Sequence, residues 1–156
     1  MTYAILVAAL CMQSGNLVDN GTFSETLERW ITTGDASLSA DGYGNTTGLK
    51  LVPAPGITAE ALQRIEGLQP RQRYTIMAKV RTSNRLCPPI LAVRNGAQID
   101  KACGYTSIEE EGRWVEERFE FFTDDDSTGV DLVLQAWKSD ELAVIDVDEV
   151  RLLPGR

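Results

Sequence analysis

The residues of this sequence that could bind a small polar ligand are a few aromatic rings at strand ends or in loops, and a few polar groups on strands. Trp137 ends an alternating apolar segment, where it either lies exposed as a ring platform or packs under a loop. An aromatic face stacks on the apolar face of a sugar ring, while amide, acid and guanidinium groups bind the hydroxyls. The candidate ligand-binding residues are Trp137, Gln135, Arg81, Lys79, Tyr43 and Tyr105.

Composition excludes several kinds of chemistry. The sequence has no histidine, which removes Ser-His-Asp and Cys-His catalysis and the commonest zinc ligand. Paired carboxylates could hydrolyse glycosides, but Glu116 and Glu117 are adjacent in a strand pattern and so point to opposite faces. We therefore expect a protein that is not an enzyme. The formal net charge of -8 argues against binding to nucleic acid.

The three cysteines leave the disulfide pattern open. Cys87 and Cys103 flank a segment typical of a β-hairpin, so they either face each other in a disulfide or remain two buried thiols. A loop of this size closed by a disulfide would add roughly 3 kcal/mol of stability. Cys11 is unpaired if that disulfide forms.

The segment from Tyr3 to Met12 is a continuous apolar run that is too short to span a bilayer. It is either a strand or arm, able to pair with a neighbouring subunit, or the apolar part of a signal peptide that lacks the usual preceding positive charge. The sequence thus predicts an apolar arm or signal segment over residues 1–15 and one domain over residues 16–156.

Short alternating segments between turn residues predict an all-β fold for that domain. In one of them, Tyr74, Ile76, Ala78 and Val80 point one way and the intervening residues the other, which is typical of a strand with one face in the core. Trp30 and Trp114 are expected in that core. The expected architecture is a single β-sandwich of the jelly-roll type. The strand candidates are Trp30–Thr33, Ala36–Ala40, Gly48–Val52, Ala61–Ile65, Tyr74–Thr82, Ile90–Arg94, Arg113–Thr123, Val130–Trp137 and Leu142–Leu153.

Five short motifs occur in a recognisable order. They are Asn16-Leu17-Val18-Asp19-Asn20-Gly21-Thr22-Phe23 followed by Trp30; the Gly-Leu-Lys-Leu strand at Gly48 to Leu51; Gln63, Ile65, Gly67, Leu68 and Pro70 followed by Tyr74, Thr75, Ala78 and Val80; Trp114 to Phe122-Thr123; and Val147-Asp148-Glu149-Val150-Arg151-Leu152. Together they resemble the jelly-roll carbohydrate-binding modules with a galactose-binding-like sandwich. The resemblance extends from about Asn16 to Leu153.

This resemblance implies a structural Ca²⁺, with Asp148 as one ligand. The second acidic ligand of the family follows the Phe of the opening motif; here Ser24 stands there and Glu25 comes next. Asp148 alternates with Val150 and Leu152, so we expect it to point inwards. A carboxylate in that position needs a partner, and a cation is a suitable one.

Two functions follow from these observations. The first is a non-catalytic glycan-binding module on an exposed surface, either extracellular or on a virion. The second is a structural subunit with the same fold, such as a virion decoration protein or an extracellular filament unit, assembled as a homo-oligomer through residues 3–12. The expected partners are a glycan or neighbouring protein subunits, with no nucleic acid and no membrane span.

Overall fold

The computed structural model describes residues 15–24, 26–44, 46–95, 98–103, 110–126 and 128–155, with backbone only for 98–103. The predicted arm, Glu25 and Tyr105 lie outside these ranges. The described residues form ten β-strands: β1 (Ile31–Thr33), β2 (Asp35–Ser39), β3 (Gly48–Val52), β4 (Ala59–Glu66), β5 (Arg73–Thr82), β6 (Pro89–Asn95), β7 (Gln98–Cys103), β8 (Val115–Phe122), β9 (Gly129–Ala136) and β10 (Ile145–Pro154).

The strands make two antiparallel sheets that pack into a β-sandwich, so the predicted fold class is confirmed. The first sheet has the order β1-β4-β9-β6-β7 and the second the order β2-β3-β10-β5-β8. The chain passes from the first sheet to the second at Gly34, whose φ of 68° favours glycine. No helix in the described ranges is long and apolar enough to cross a membrane.

The core lies between the sheets and follows the alternation in the sequence. Leu132 and Leu134 of β9 and Ile76 and Val80 of β5 belong to this core, and each of these side chains is fully buried. Burial of a large aliphatic side chain contributes about 1.5–3 kcal/mol. This layer therefore holds the two sheets together. Each sheet packs one face on the core and has a second, outer face that points away from it.

The opening motif has a structural role. Asn16 donates its side-chain amide to the Val150 carbonyl at 3.1 Å and accepts from the Leu152 amide at 2.9 Å. Phe23 is fully buried against Trp30, with ring centroids 5.3 Å apart. The Val150 amide donates to the Gly21 carbonyl at 2.8 Å. The motif thus closes one end of the core over β10, and the prediction that Trp30 is a core residue is confirmed.

Gly21 should tolerate no side chain, because a Cβ at this position would overlap the Val150 carbonyl oxygen. We expect Gly21→Ala to lower the free energy of unfolding by about 1–2 kcal/mol, since crowding of this kind forces the backbone apart. Urea denaturation measures the change. Gly15→Ala is the matched control, because a Cβ there meets nothing within 4 Å; equal effects of the two changes would contradict the crowding.

Candidate functional site

The outer face of the first sheet carries a cross-strand arrangement of polar and apolar side chains. β9 is central in this sheet, and its residues Asp131, Val133 and Gln135 alternate with core residues, so they point away from the core. The strand register places three rows across β4, β9 and β6. They are Glu60–Gln135–Ile90, Leu62–Val133–Ala92 and Arg64–Asp131–Arg94.

Three polar side chains join across this face. Glu60 accepts two hydrogen bonds: its Oε1 lies 3.1 Å from Arg94 Nη2, and its Oε2 lies 3.0 Å from Gln135 Nε2. Because β9 separates β4 from β6, the Arg94 side chain crosses β9 above the row that contains Val133 to reach Glu60. We call Glu60, Gln135 and Arg94 the polar triad. Val133 and Ala92, both fully buried, form the floor beneath it.

The polar triad keeps one donor and one acceptor unused. Arg94 Nε and Gln135 Oε1 are buried and have no hydrogen-bond partner among the described residues, and Gln135 is only 8% exposed. A buried polar atom without a partner costs about 1–3 kcal/mol. A ligand hydroxyl both donates and accepts, so it can satisfy these atoms once the Arg94 and Gln135 side chains rotate and bring them to the surface.

Trp137 directly follows β9, where this face ends. It follows Gln135 by two residues, so roughly 7 Å of extended chain separates the two positions. Its side chain is 52% exposed, which fits an exposed ring platform better than a ring packed under a loop. An exposed indole beside buried polar groups is the combination that sugar binding requires.

Three other predicted ligand residues, Lys79, Arg81 and Tyr43, lie on the outer face of the second sheet. Lys79 and Arg81 alternate there with core residues of β5. Lys79 Nζ lies 5.1 Å from the Tyr43 ring centroid, and Arg81 lies 4.9 Å from that of Trp114. Tyr43 and Trp114 meet edge to face at 5.9 Å. The structure thus separates Lys79, Arg81 and Tyr43 from Gln135 and Trp137 by the thickness of the sandwich.

Two expectations for this second face are wrong. Trp114 is not a core residue, because it lies before β8 and packs on Tyr43 and Arg81 instead. Asp148 does not share the inward face of Val150, because a β-bulge after Asp148 shifts the register, with Glu149 at a φ of 48°. Asp148 therefore points to the outer side, opposite Lys79, beneath the loop of residues 40–47.

Asp148 is held by protein donors. Its Oδ2 accepts from the Tyr43 amide at 2.9 Å and lies 3.0 Å from the Thr46 hydroxyl, and its Oδ1 accepts from the Glu149 amide at 2.7 Å. Burial raises the pKa of the Asp148 carboxyl above its usual value, against the lowering effect of these donors. Within the described ranges, no three His, Cys, Asp or Glu side chains group to hold a metal. Both Asp148 oxygens thus accept hydrogen bonds from protein donors, and the Ca²⁺ prediction, whose second ligand Glu25 lies outside the described residues, stays a prediction.

The predicted disulfide is absent, because Cys87 is a buried free thiol. Its Sγ lies 3.7 Å from the Trp137 carbonyl oxygen, and burial raises the pKa of the thiol. The hairpin of β6 and β7 pairs Cys103 with Leu91, four residues beyond Cys87. Cys87 lies in a bend before β6 and so outside the paired part of the hairpin.

A separate pocket of about 440 Å³ opens beside the opening motif. It contains none of the sequence-predicted ligand residues. Its lining is polar and has no aromatic ring among the described residues, unlike the face that carries the polar triad. The lining residues are Asp19, Asn20, Ser24, Thr26, Glu28 and Arg29.

Comparison with known proteins now defines the class. A family model described as a carbohydrate binding domain, CBM_4_9, matches residues 15–141. The chain belongs to this family, and it is a carbohydrate-binding module built as a β-sandwich. The resemblance inferred from the five sequence motifs is thereby confirmed.

Solved structures share the fold at low identity. The chain is similar to the "Family 16 Carbohydrate Binding Module-2" (23% identity, 88% of this chain and 99% of that chain, TM-score 0.69). It is also similar to TmCBM61, solved with β-1,4-galactotriose (12% identity, 90% of this chain and 99% of that chain, TM-score 0.65). A third similar structure is a cyclase from Fischerella sp. TAU (12% identity, 90% of this chain and 96% of that chain, TM-score 0.71). A search of curated protein sequences found no match. At these identities the likeness shows the fold alone.

Proposed function

We propose that this module binds its glycan on the outer face of the first sheet, between the polar triad and Trp137. The observation that carries the proposal is the pair of unused buried atoms, Arg94 Nε and Gln135 Oε1, on the face that ends in an exposed indole. A sugar ring stacked on Trp137 would present its hydroxyls towards Gln135. Binding without catalysis is the activity that this arrangement supports.

The charges on this face favour an uncharged glycan. Glu60 is paired with Arg94, and Asp131 with Arg64 at 3.3 Å. Glu66 also pairs with Arg64, at 2.7 Å. No cation of the triad is left free to attract a carboxylate or sulfate group, and the formal net charge of -8 repels anionic chains. We therefore expect neutral oligosaccharides to bind in preference to acidic ones.

Trp137→Ala is expected to weaken glycan binding about tenfold, since it removes the ring platform and its buried area. A glycan array with the full chain identifies the ligand, and isothermal titration of the best neutral oligosaccharide measures the loss. Tyr43→Ala, on the opposite outer face, is the matched control and should bind normally. No binding to any glycan would overturn the function, whereas loss with Tyr43→Ala alone would move the site to the second sheet.

The structural-subunit alternative depends on Tyr3 to Met12, which lie outside the described residues, so it stays a prediction. Deleting residues 1–12 would test it directly. Loss of a stable oligomer with the sandwich still folded would favour that function, and an unchanged oligomeric state would rule out the arm.

A further inference from the structure

Three large apolar side chains are exposed in two loops that meet at the end of the sandwich where β9 finishes. Leu86 is 74% exposed and Leu142 is 93% exposed. They belong to the loops of residues 83–88 and 137–144, which meet where Cys87 Sγ lies 3.7 Å from the Trp137 carbonyl oxygen. We call Leu86, Trp137 and Leu142 the end patch. Single exposed apolar residues are ordinary, but a group of them marks an interaction site.

Hydrogen bonds hold the two loops against each other. Asn84 donates its side-chain amide to the Leu142 carbonyl at 3.3 Å, and Ser83 and Val144 exchange two hydrogen bonds at 2.8 and 2.9 Å. The Leu86 amide donates to the Asn84 side chain at 3.0 Å. The two leucines therefore belong to loops that are fixed by hydrogen bonds. Such preorganisation lowers the conformational entropy that is lost on binding.

The end patch is continuous with the proposed glycan site, because Trp137 belongs to both. Stacking on a sugar ring accounts for the indole but not for two aliphatic side chains beyond it. We propose that the glycan bound by this module carries an apolar substituent, an alkyl or acyl chain, that lies on Leu86 and Leu142 while the sugar contacts Trp137 and the polar triad. This inference rests on the proposed function and specifies its ligand class.

The test compares methyl and octyl glycosides of cellobiose, lactose and maltose, each below its micelle concentration, by isothermal titration with the full chain. The octyl form should bind roughly 10- to 100-fold more tightly, because buried methylene groups add affinity. The double variant Leu86→Ser/Leu142→Ser should lose this gain and keep the affinity for the methyl form. Phe122→Ser, which changes another exposed apolar residue at the opposite end of the sandwich, should keep both.

Three results would overturn the inference. Equal affinity for methyl and octyl forms would show that the end patch takes no part in binding while leaving the glycan site intact. An affinity for the octyl forms that Gln135→Ala leaves unchanged, while it lowers the affinity for the methyl forms, would separate the end patch from the sugar site. A change of oligomeric state in the double variant, measured by light scattering, would assign the end patch to a contact between copies. Absence of binding by every glycoside and array glycan would instead overturn the proposed function.

Discussion

Glu60→Ala should lower the free energy of unfolding by about 2–3 kcal/mol and weaken glycan binding at least about tenfold. Glu60 is the acceptor that joins the polar triad, and its side chain is only 15% exposed. Its removal leaves the Arg94 guanidinium without a counter-charge and the Gln135 amide without its acceptor. Urea denaturation and isothermal titration on the same preparation measure both effects.

Glu66→Ala is the matched control for this change. Glu66 lies on the same strand and also pairs with an arginine, Arg64, but its side chain is 64% exposed. Exposed ion pairs contribute at most about 1 kcal/mol, so the control should be nearly neutral. Glu60→Gln keeps one acceptor oxygen and should recover part of the stability. Equal costs for Glu60→Ala and Glu66→Ala would show that the polar triad is an ordinary surface cluster.

Asp148→Ala should also cost about 2–3 kcal/mol, because the Tyr43 and Glu149 amides lose their acceptor and the Thr46 hydroxyl keeps only the Tyr43 carbonyl. Two of them, the Tyr43 amide and the Thr46 hydroxyl, belong to the loop of residues 40–47. The loop should loosen as a result, so faster amide exchange at Tyr43 is a second readout. An unchanged exchange rate would contradict its attachment to Asp148.

The raised pKa of Asp148 gives a defined dependence of stability on pH. The folded state holds this proton more tightly than the unfolded state does. The stabilisation is therefore fully present below the unfolded pKa, near 3.8, and is lost as the pH rises through the higher folded value. The unfolding free energy of the unaltered protein is compared with that of Asp148→Asn across acidic pH. The difference between the two gives the pH dependence that Asp148 contributes.

Asp125 provides a control of opposite sign for the pH experiment. Its bond to Arg71 holds the pKa of the Asp125 carboxyl below its usual value, so its contribution is lost as the pH falls. The two Asn variants should therefore change the pH profile in opposite directions. A stability difference that rises with pH for Asp148→Asn would mean that the three donors outweigh burial.

Local patterns in the sequence were sufficient to predict most strands and the inner face of each. The alternation from Tyr74 to Val80 is an example. Every second residue of a strand points into the core, where apolar side chains are stabilised, so the alternation predicts the buried face directly. β7 was not predicted as a strand of its own. The prediction that Asp148 points into the core is wrong because a β-bulge shifts the alternation by one residue. No pattern in the neighbouring residues predicts this bulge.

The candidate site required the tertiary structure. Alternation shows that Lys79 and Gln135 both face outwards, but not that they belong to different sheets. The polar triad was missed for the same reason: Glu60 and Arg94 look like ordinary outward charges until β9 is placed between their strands. The sequence alone determined the all-β class, the core and the family resemblance. Strand order decided which outward residues meet, because pairing between distant strands depends on packing of the whole core rather than on neighbouring residues.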